Sequence, residues 1–195
     1  MPETRWPTIR RMALAEDDRG SAPNAHAGAV VIGLLPPRAR FWLRLKPTLG
    51  DQVTSVAGFV LNLPINRCQN VQGKRTLRLG PDEWLLCGPE TAGNAIADEI
   101  EATLRDLTHA LVDVSHAHVA LSVAGAQAAE AINSGCPLDL SPVAFAPGAA
   151  TRTLLGNAEI ILSRWRDRTG FEVVCGRSFA AYVRGFLEVA AEGRQ

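Results

Sequence analysis

The hydrophobic period of this chain switches repeatedly between two residues and 3.6, and that switching limits the folds open to it. In FWLRLK, Phe41, Leu43 and Leu45 alternate with Trp42, Arg44 and Lys46, the period of a strand with one buried face. TSVAGFVLNLP reads as a second strand over 53–60, ended by Pro64. RTLRLGPDEWLLCG reads as a hairpin, with strands near 75–80 and 84–87 about Gly80, Pro81 and Asp82. There proline pre-sets one turn dihedral and the aspartate can bond the backbone beyond it. After Gly88 the period becomes helical: Ile96, Ile100, Leu104 and Leu107 share one face of a helix expected over 91–107. Glu99, Glu101, Arg105 and Asp106 lie largely away from that face, with Glu101 and Arg105 spaced to pair along the helix. The acidic run is a solvated helix face, not an acid-base site.

Further along, strands are expected over 110–115 and 118–124, with a phase slip between Ser115 and His118. A short helix over 126–133 should stop at Gly135 in the left-handed conformation, with Pro137 preventing continuation. Residues 138–150, containing Pro142, Pro147 and Gly148, read as a loop. RTLLGNAEIILSRW reads as a strand over 152–165, and GFEVVCG as another over 171–175. Ser178 is placed to cap a helix over 178–191 whose Phe179, Tyr182, Val183, Phe186 and Val189 form one apolar side. Runs of strands, each closed by a helix, imply an α+β fold: a mainly antiparallel sheet with helices packed on one face.

With 195 residues, 47% of them hydrophobic, the chain can bury one sizeable core. A single domain is expected over 29–195. Residues 1–28, with RMALAEDDRGSAPNAHAG, carry no sustained apolar stripe and read as an extension that orders only against something else, such as a partner chain. The run AVVIGLL ends at Pro36 and Pro37, far short of the roughly 20 residues of a membrane span. No signal peptide or anchor is expected. Twenty Lys+Arg against 20 Asp+Glu leave no net field to recruit nucleic acid or an anionic membrane. Cys68, Cys87, Cys136 and Cys175 are far apart, without C-x-x-C or ligand-spaced histidines, and sit among apolar neighbours. Buried reduced thiols are expected, which places the chain in the cytoplasm. No metal site is expected.

Asp113, Ser115 and His116 suggest a compressed catalytic triad, but on one strand Asp113 and Ser115 point one way and His116 the other. No G-x-S-x-G elbow surrounds Ser115 either. Hydrogen bonding at a strand end is the expected role. Eighteen of the 20 basic residues are arginine, Lys46 and Lys74 being the lysines. Trp42, Arg164, Trp165, Arg166 and Arg168 are the candidate contact residues, because Trp and Arg dominate interface hot spots. A solvated charged turn explains RWRDR equally well.

The run DVSHAHVALSVAGAQAAEAI resembles the aminomethyltransferase (T-protein) fold of glycine cleavage, in which a D-V-S-H segment, a strand and a G-x-x-A helix follow in that order. LGPDEWLL, LVDVSH, GCPLDL, RTLLGNAEIIL and RSFAAYVRGFL, in order over roughly Leu77 to Leu187, resemble more specifically the gamma-subunit family of heterotetrameric sarcosine oxidase. The resemblance implies a ferredoxin-like, folate-binding-domain-like fold. It implies a non-catalytic subunit that stabilises a complex converting sarcosine to glycine, with formaldehyde or methylenetetrahydrofolate and hydrogen peroxide as products. Alpha, beta and delta subunits are the implied partners, and FAD, FMN, NAD and tetrahydrofolate are expected in those subunits. No cofactor is expected in this chain, nor catalytic activity when it is isolated. It has no G-x-G-x-x-G after a strand to seat a pyrophosphate. Where folate-using relatives carry a G-G-I-x-D-D-like stretch, it reads GNAEIIL, with Glu159 a displaced carboxylate. The alternative is a free-standing folate-dependent methyl-transferring or iron-sulfur-assembly protein of the same wider fold. The absent acidic pair and the absence of a reactive Cys motif separate the two.

Overall fold

The contiguous apolar run Trp84, Leu85, Leu86 and Cys87 does not suit a strand with one wet face, and it occupies β7 (Glu83–Pro89), whose two faces are both covered. A computed structural model describes residues 30–46, 52–166 and 169–192. The expected extension over 1–28 and Arg168 lie outside the described residues. The other elements, in chain order, are β1 (Val31–Leu34), β2 (Arg38–Leu45), β3 (Ser55–Val56), β4 (Phe59–Val60), β5 (Arg67–Val71) and β6 (Lys74–Arg78) before β7. After it come α1 (Gly93–Leu104), β8 (His109–Asp113), β9 (His118–Ala124), α2 (Ala128–Asn133), β10 (Ala150–Leu155), β11 (Ala158–Arg164), β12 (Phe171–Gly176) and α3 (Ala180–Glu192).

The strands form two five-stranded antiparallel sheets, in the orders β5-β6-β7-β2-β8 and β1-β9-β12-β11-β10, with β3 and β4 as a separate hairpin. The sheets meet face to face. Cys68, Leu77, Leu85 and Cys87 of the first pack with Ala120, Ala150, Ile161 and Val174 of the second. On the outer face of the first sheet, Phe41, Leu43, Trp84 and Leu86 pack against Ile96, Ile100 and Leu104 of α1 and Phe59 of the hairpin. On the outer face of the second, Leu121, Val123, Ile160, Leu162 and Val173 meet Ile132 of α2 and Val183 and Leu187 of α3. The α+β class with antiparallel pairing is as expected, but there are two sheets where one was expected. Each carries its helices on one face and the other sheet on its second face. Successive residues therefore serve different cores: Trp84 and Leu86 face α1, while Leu85 and Cys87 face the second sheet. Trp84 is fully buried, and its indole N–H donates to the Leu61 carbonyl at 2.9 Å.

Several local expectations need correction. The strand expected over 53–60 is the β3–β4 hairpin, turned by Ala57 and Gly58 at φ 46° and 75°. The strand expected over 152–165 is likewise a hairpin, β10 and β11, turned at Gly156 (φ 55°) and Asn157. Neither β1 nor β5 was expected; β5 closes on β6 through Gln72 and Gly73, at φ 49° and 79°. Gly135 is not left-handed. Its constraint is space: a Cβ there would lie 2.4 Å from Cζ of Phe186. Ser178 falls inside a 3-10 turn (Arg177–Phe179) that precedes α3, and the cap position of that turn is Gly176, with no side-chain cap. Glu101 turns to Nε2 of His109 at 3.1 Å, and no pairing with Arg105 is found among the described residues.

Candidate functional site

Strand alternation decides which side chains reach the seam between the sheets. Ala39, Phe41, Leu43 and Leu45 of β2 face α1, so Arg38, Arg40, Trp42 and Arg44 face the other way. The centre of the seam is apolar, and its rims are polar. Two clefts open there, one of about 370 Å³ beside Trp42 and one of about 510 Å³ beside Arg75.

In the first cleft Arg152 of β10 crosses the seam to Glu83 of β7, with Nη1 donating to Oε2 at 2.8 Å and Nη2 to Oε1 at 2.5 Å. Its guanidinium lies 4.7 Å from the centre of the Trp42 ring. The hydrogen bond from Arg152 holds the Glu83 carboxyl below the usual carboxylate range, although burial opposes it. Arg44 adds to the same carboxylate at 3.4 Å. His118 stands edge-on to Trp42 with ring centres 6.3 Å apart, and burial lowers its pKa, so its imidazole is neutral near pH 7. Cys175 also lines this cleft, and burial pushes its thiol up to about 11. A thiol held protonated is a poor nucleophile. Glu159, the displaced carboxylate, is largely exposed at the rim, 3.8 Å from Arg152.

The second cleft is lined by Arg38, Arg75, Arg164, Trp165, Arg166 and Glu172, among others. Arg75 pairs with Glu172 across the seam, donates to Ser163 Oγ at 2.7 Å and approaches Cys68 Sγ at 3.6 Å. Arg164 donates to the carbonyls of Leu140 and Phe145, both at 3.1 Å, and lies over the Phe171 ring. Of the residues singled out for contacts, the structure thus gathers Arg164, Trp165 and Arg166 at one cleft and sets Trp42 at the other. A third concavity, an apolar groove of about 540 Å³, runs along α3 past Tyr182, Phe186 and Val189. Tyr182 and Val189 are 40% and 71% exposed. The amphipathic period of α3 was visible in the sequence. That part of its apolar stripe overruns the core was not.

Asp113 and Ser115 close the end of β8. Asp113 Oδ1 accepts the Ser115 N–H at 2.8 Å, and Ser115 Oγ accepts the Arg40 N–H at 2.9 Å. Both bonds serve backbone groups, as expected of a strand end. Among the described residues no group of three His, Cys, Asp or Glu is arranged to hold a metal ion. No helix among them is long and apolar enough to cross a membrane.

The sequence profile of the sarcosine oxidase, gamma subunit family matches residues 46–192. The chain is 29% identical over 167 residues to the sarcosine oxidase subunit gamma of Arthrobacter sp., covering 84% of this chain and 81% of that one. It is 37% identical over 102 residues to the sarcosine oxidase subunit gamma of Corynebacterium sp. (strain P-1), covering 52% of this chain and 49% of that one. Among solved structures it is similar to a chain of the heterotetrameric sarcosine oxidase from Corynebacterium sp. U-96 in complex with pyrrole 2-carboxylate. The TM-score is 0.75 at 25% identity over 87% of each chain. It shares its fold with the glycine cleavage system aminomethyltransferase T from Bartonella henselae, with TM-score 0.62 and 15% identity over 83% of this chain and 46% of that one. The profile match extends over most of the two-sheet domain, so the chain belongs to the sarcosine oxidase gamma subunit family.

Proposed function

We propose that this chain is a non-catalytic subunit of a heterotetrameric sarcosine oxidase, packing against the alpha, beta and delta subunits and stabilising the assembly. The observation that carries this reading is the likeness to a chain of such a complex over 87% of both chains. The surface supports it. Tyr182 and Val189 keep apolar area exposed along α3, and arginines and a tryptophan crowd the second cleft, a composition favoured at protein contacts. Among the described residues at the cleft beside Trp42, His118 is neutral, Cys175 is held protonated, and the carboxylate of Glu83 is committed to Arg152. The flavins, the nicotinamide dinucleotide and tetrahydrofolate then belong to the other subunits, where sarcosine is oxidatively demethylated to glycine in the cytoplasm. Formaldehyde or methylenetetrahydrofolate and hydrogen peroxide are products of the complex.

Co-expression with the alpha, beta and delta subunits tests this. The chain should enter one complex with them, burying an interface of roughly 2,000 Å² or more. Migration apart from them, or micromolar tetrahydrofolate binding by the isolated chain in calorimetry, would favour the free-standing folate-dependent alternative.

A further inference from the structure

We propose that the cleft beside Arg75 is an anion site, built for a small ligand that carries a phosphate or paired carboxylates. Four guanidinium groups line it, those of Arg38, Arg75, Arg164 and Arg166, and among the described residues the acid lining it is Glu172, which is engaged by Arg75. Two of the arginines are fixed by carbonyl oxygens, which orient a guanidinium without cancelling its charge. Arg38 is held by the carbonyls of Gly73, Cys87 and Gly88, and Arg164 by those of Leu140 and Phe145. Arg166 lies over Gly148, where a Cβ would come within 2.4 Å of its Nε. The glycine leaves room for that guanidinium at the cleft.

A second observation points to the same surplus of positive charge among the described residues. Arg40 follows Arg38 by two residues on β2 and therefore shares its face, towards the seam. It pairs in register with Cys87, which pairs in turn with Arg75, so the three sit in a row across the sheet. Arg40 is 2% exposed, and among the described residues its Nε has no hydrogen-bond partner. Burying a guanidinium group with an unsatisfied N–H is costly, and the four guanidinium groups at the cleft share one carboxylate among its described lining residues. A doubly charged anion beside Arg38 and Arg166 would relieve it, through the bidentate hydrogen bonding that guanidinium groups offer phosphate and carboxylate oxygens. Gln69 and Asn70, also at the cleft wall, add side-chain amides. A volume of about 510 Å³ suits a small molecule. The inference concerns this chain alone and stands or falls separately from its place in a complex.

The test is titration of the full-length chain with inorganic phosphate and, separately, with malonate, at ionic strength fixed by sodium chloride, read by calorimetry and by the thermal midpoint. At least one of the two should bind saturably and raise the midpoint, as any ligand of the folded state must. Preference for phosphate identifies a phosphorylated ligand, and preference for malonate a dicarboxylate. The Arg38→Gln/Arg166→Gln double variant should lose about tenfold or more in affinity, the loss expected for two charge-assisted contacts. Should the double variant not fold, Arg166→Gln alone, at an exposed side chain, should lose about threefold or more. Arg44→Gln, outside the cleft, should bind as the parent does. Binding of neither anion beyond chloride, or undiminished binding in the cleft variants, overturns the proposal.

Discussion

Arg152 on β10 and Glu83 on β7 lie 69 residues apart in sequence and meet across the seam between the two sheets through two parallel hydrogen bonds of 2.8 and 2.5 Å. The same guanidinium covers the Trp42 ring, so one side chain ties three strands. Bidentate geometry and the low exposure of Glu83 lift this pair above an ordinary surface ion pair.

Acid should therefore loosen the seam. The folded-state pKa of Glu83 is depressed, so its contribution is present above the unfolded carboxylate value, about 4.3. It is lost as pH falls through the lower folded value. Glu83→Gln should cost about 1–2 kcal/mol at pH 7, the lower end reflecting the partial exposure of Arg152. In urea titrations from pH 7 to pH 3 the variant should lose less stability than the parent. Equal acid sensitivity in the two proteins would mean that the pair contributes nothing.

Ser115→Ala removes the side-chain acceptor of the Arg40 N–H, and should lower unfolding free energy by about 1 kcal/mol. Turnover of the assembled oxidase should stay within about twofold of the parent, a difference under half a kcal/mol in barrier. A fall of about a thousandfold with the complex intact would instead put Ser115 in the chemistry.

Gly135→Ala places a methyl group against the Phe186 ring and, 3.0 Å away, the backbone nitrogen of Gly156. Overpacking of this kind should cost about 1–3 kcal/mol. Combining it with Phe186→Leu should give a smaller total loss than the two single losses added, read from chemical denaturation. Simple additivity would show that the ring is not what constrains Gly135.

Strong periodicity made some of the fold legible in the sequence. Ile96, Ile100 and Leu104 face the core as expected, and the turn at Gly80, Pro81 and Asp82 joins β6 to β7. The hairpin at Ala57–Gly58 was hidden because its turn carries no Asn-Gly or Asp-Gly signal, whereas Gly156–Asn157 does carry a turn signature, glycine at the first central position, which the apolar runs on either side mask. β5 is polar and pairs as an edge strand, so its alternation is weak. The division into two sheets was out of reach, since the parity of WLLC reports two buried faces but not what covers them. The same holds for the clefts. Arg164, Trp165 and Arg166 drew attention as residue types, but only long-range pairing brings them to Arg38, Arg75 and Glu172.

With the redox groups assigned to the other subunits as proposed, the isolated chain should be colourless above the aromatic absorption band and inert towards sarcosine, with or without added tetrahydrofolate, because no set of protein side chains accepts a hydride reversibly. Absorbance of the purified chain and a peroxide assay check both expectations. Stoichiometric flavin in the purified chain would overturn the assignment of cofactors to the other subunits.

The most direct test is reconstitution of the oxidase from co-expressed alpha, beta and delta subunits with and without this chain, following complex mass, thermal midpoint and turnover per flavin. The chain should join the complex stoichiometrically, and its omission should lower yield or thermal midpoint far more than turnover per flavin. A complex of full yield and unchanged midpoint formed without it would contradict a stabilising role.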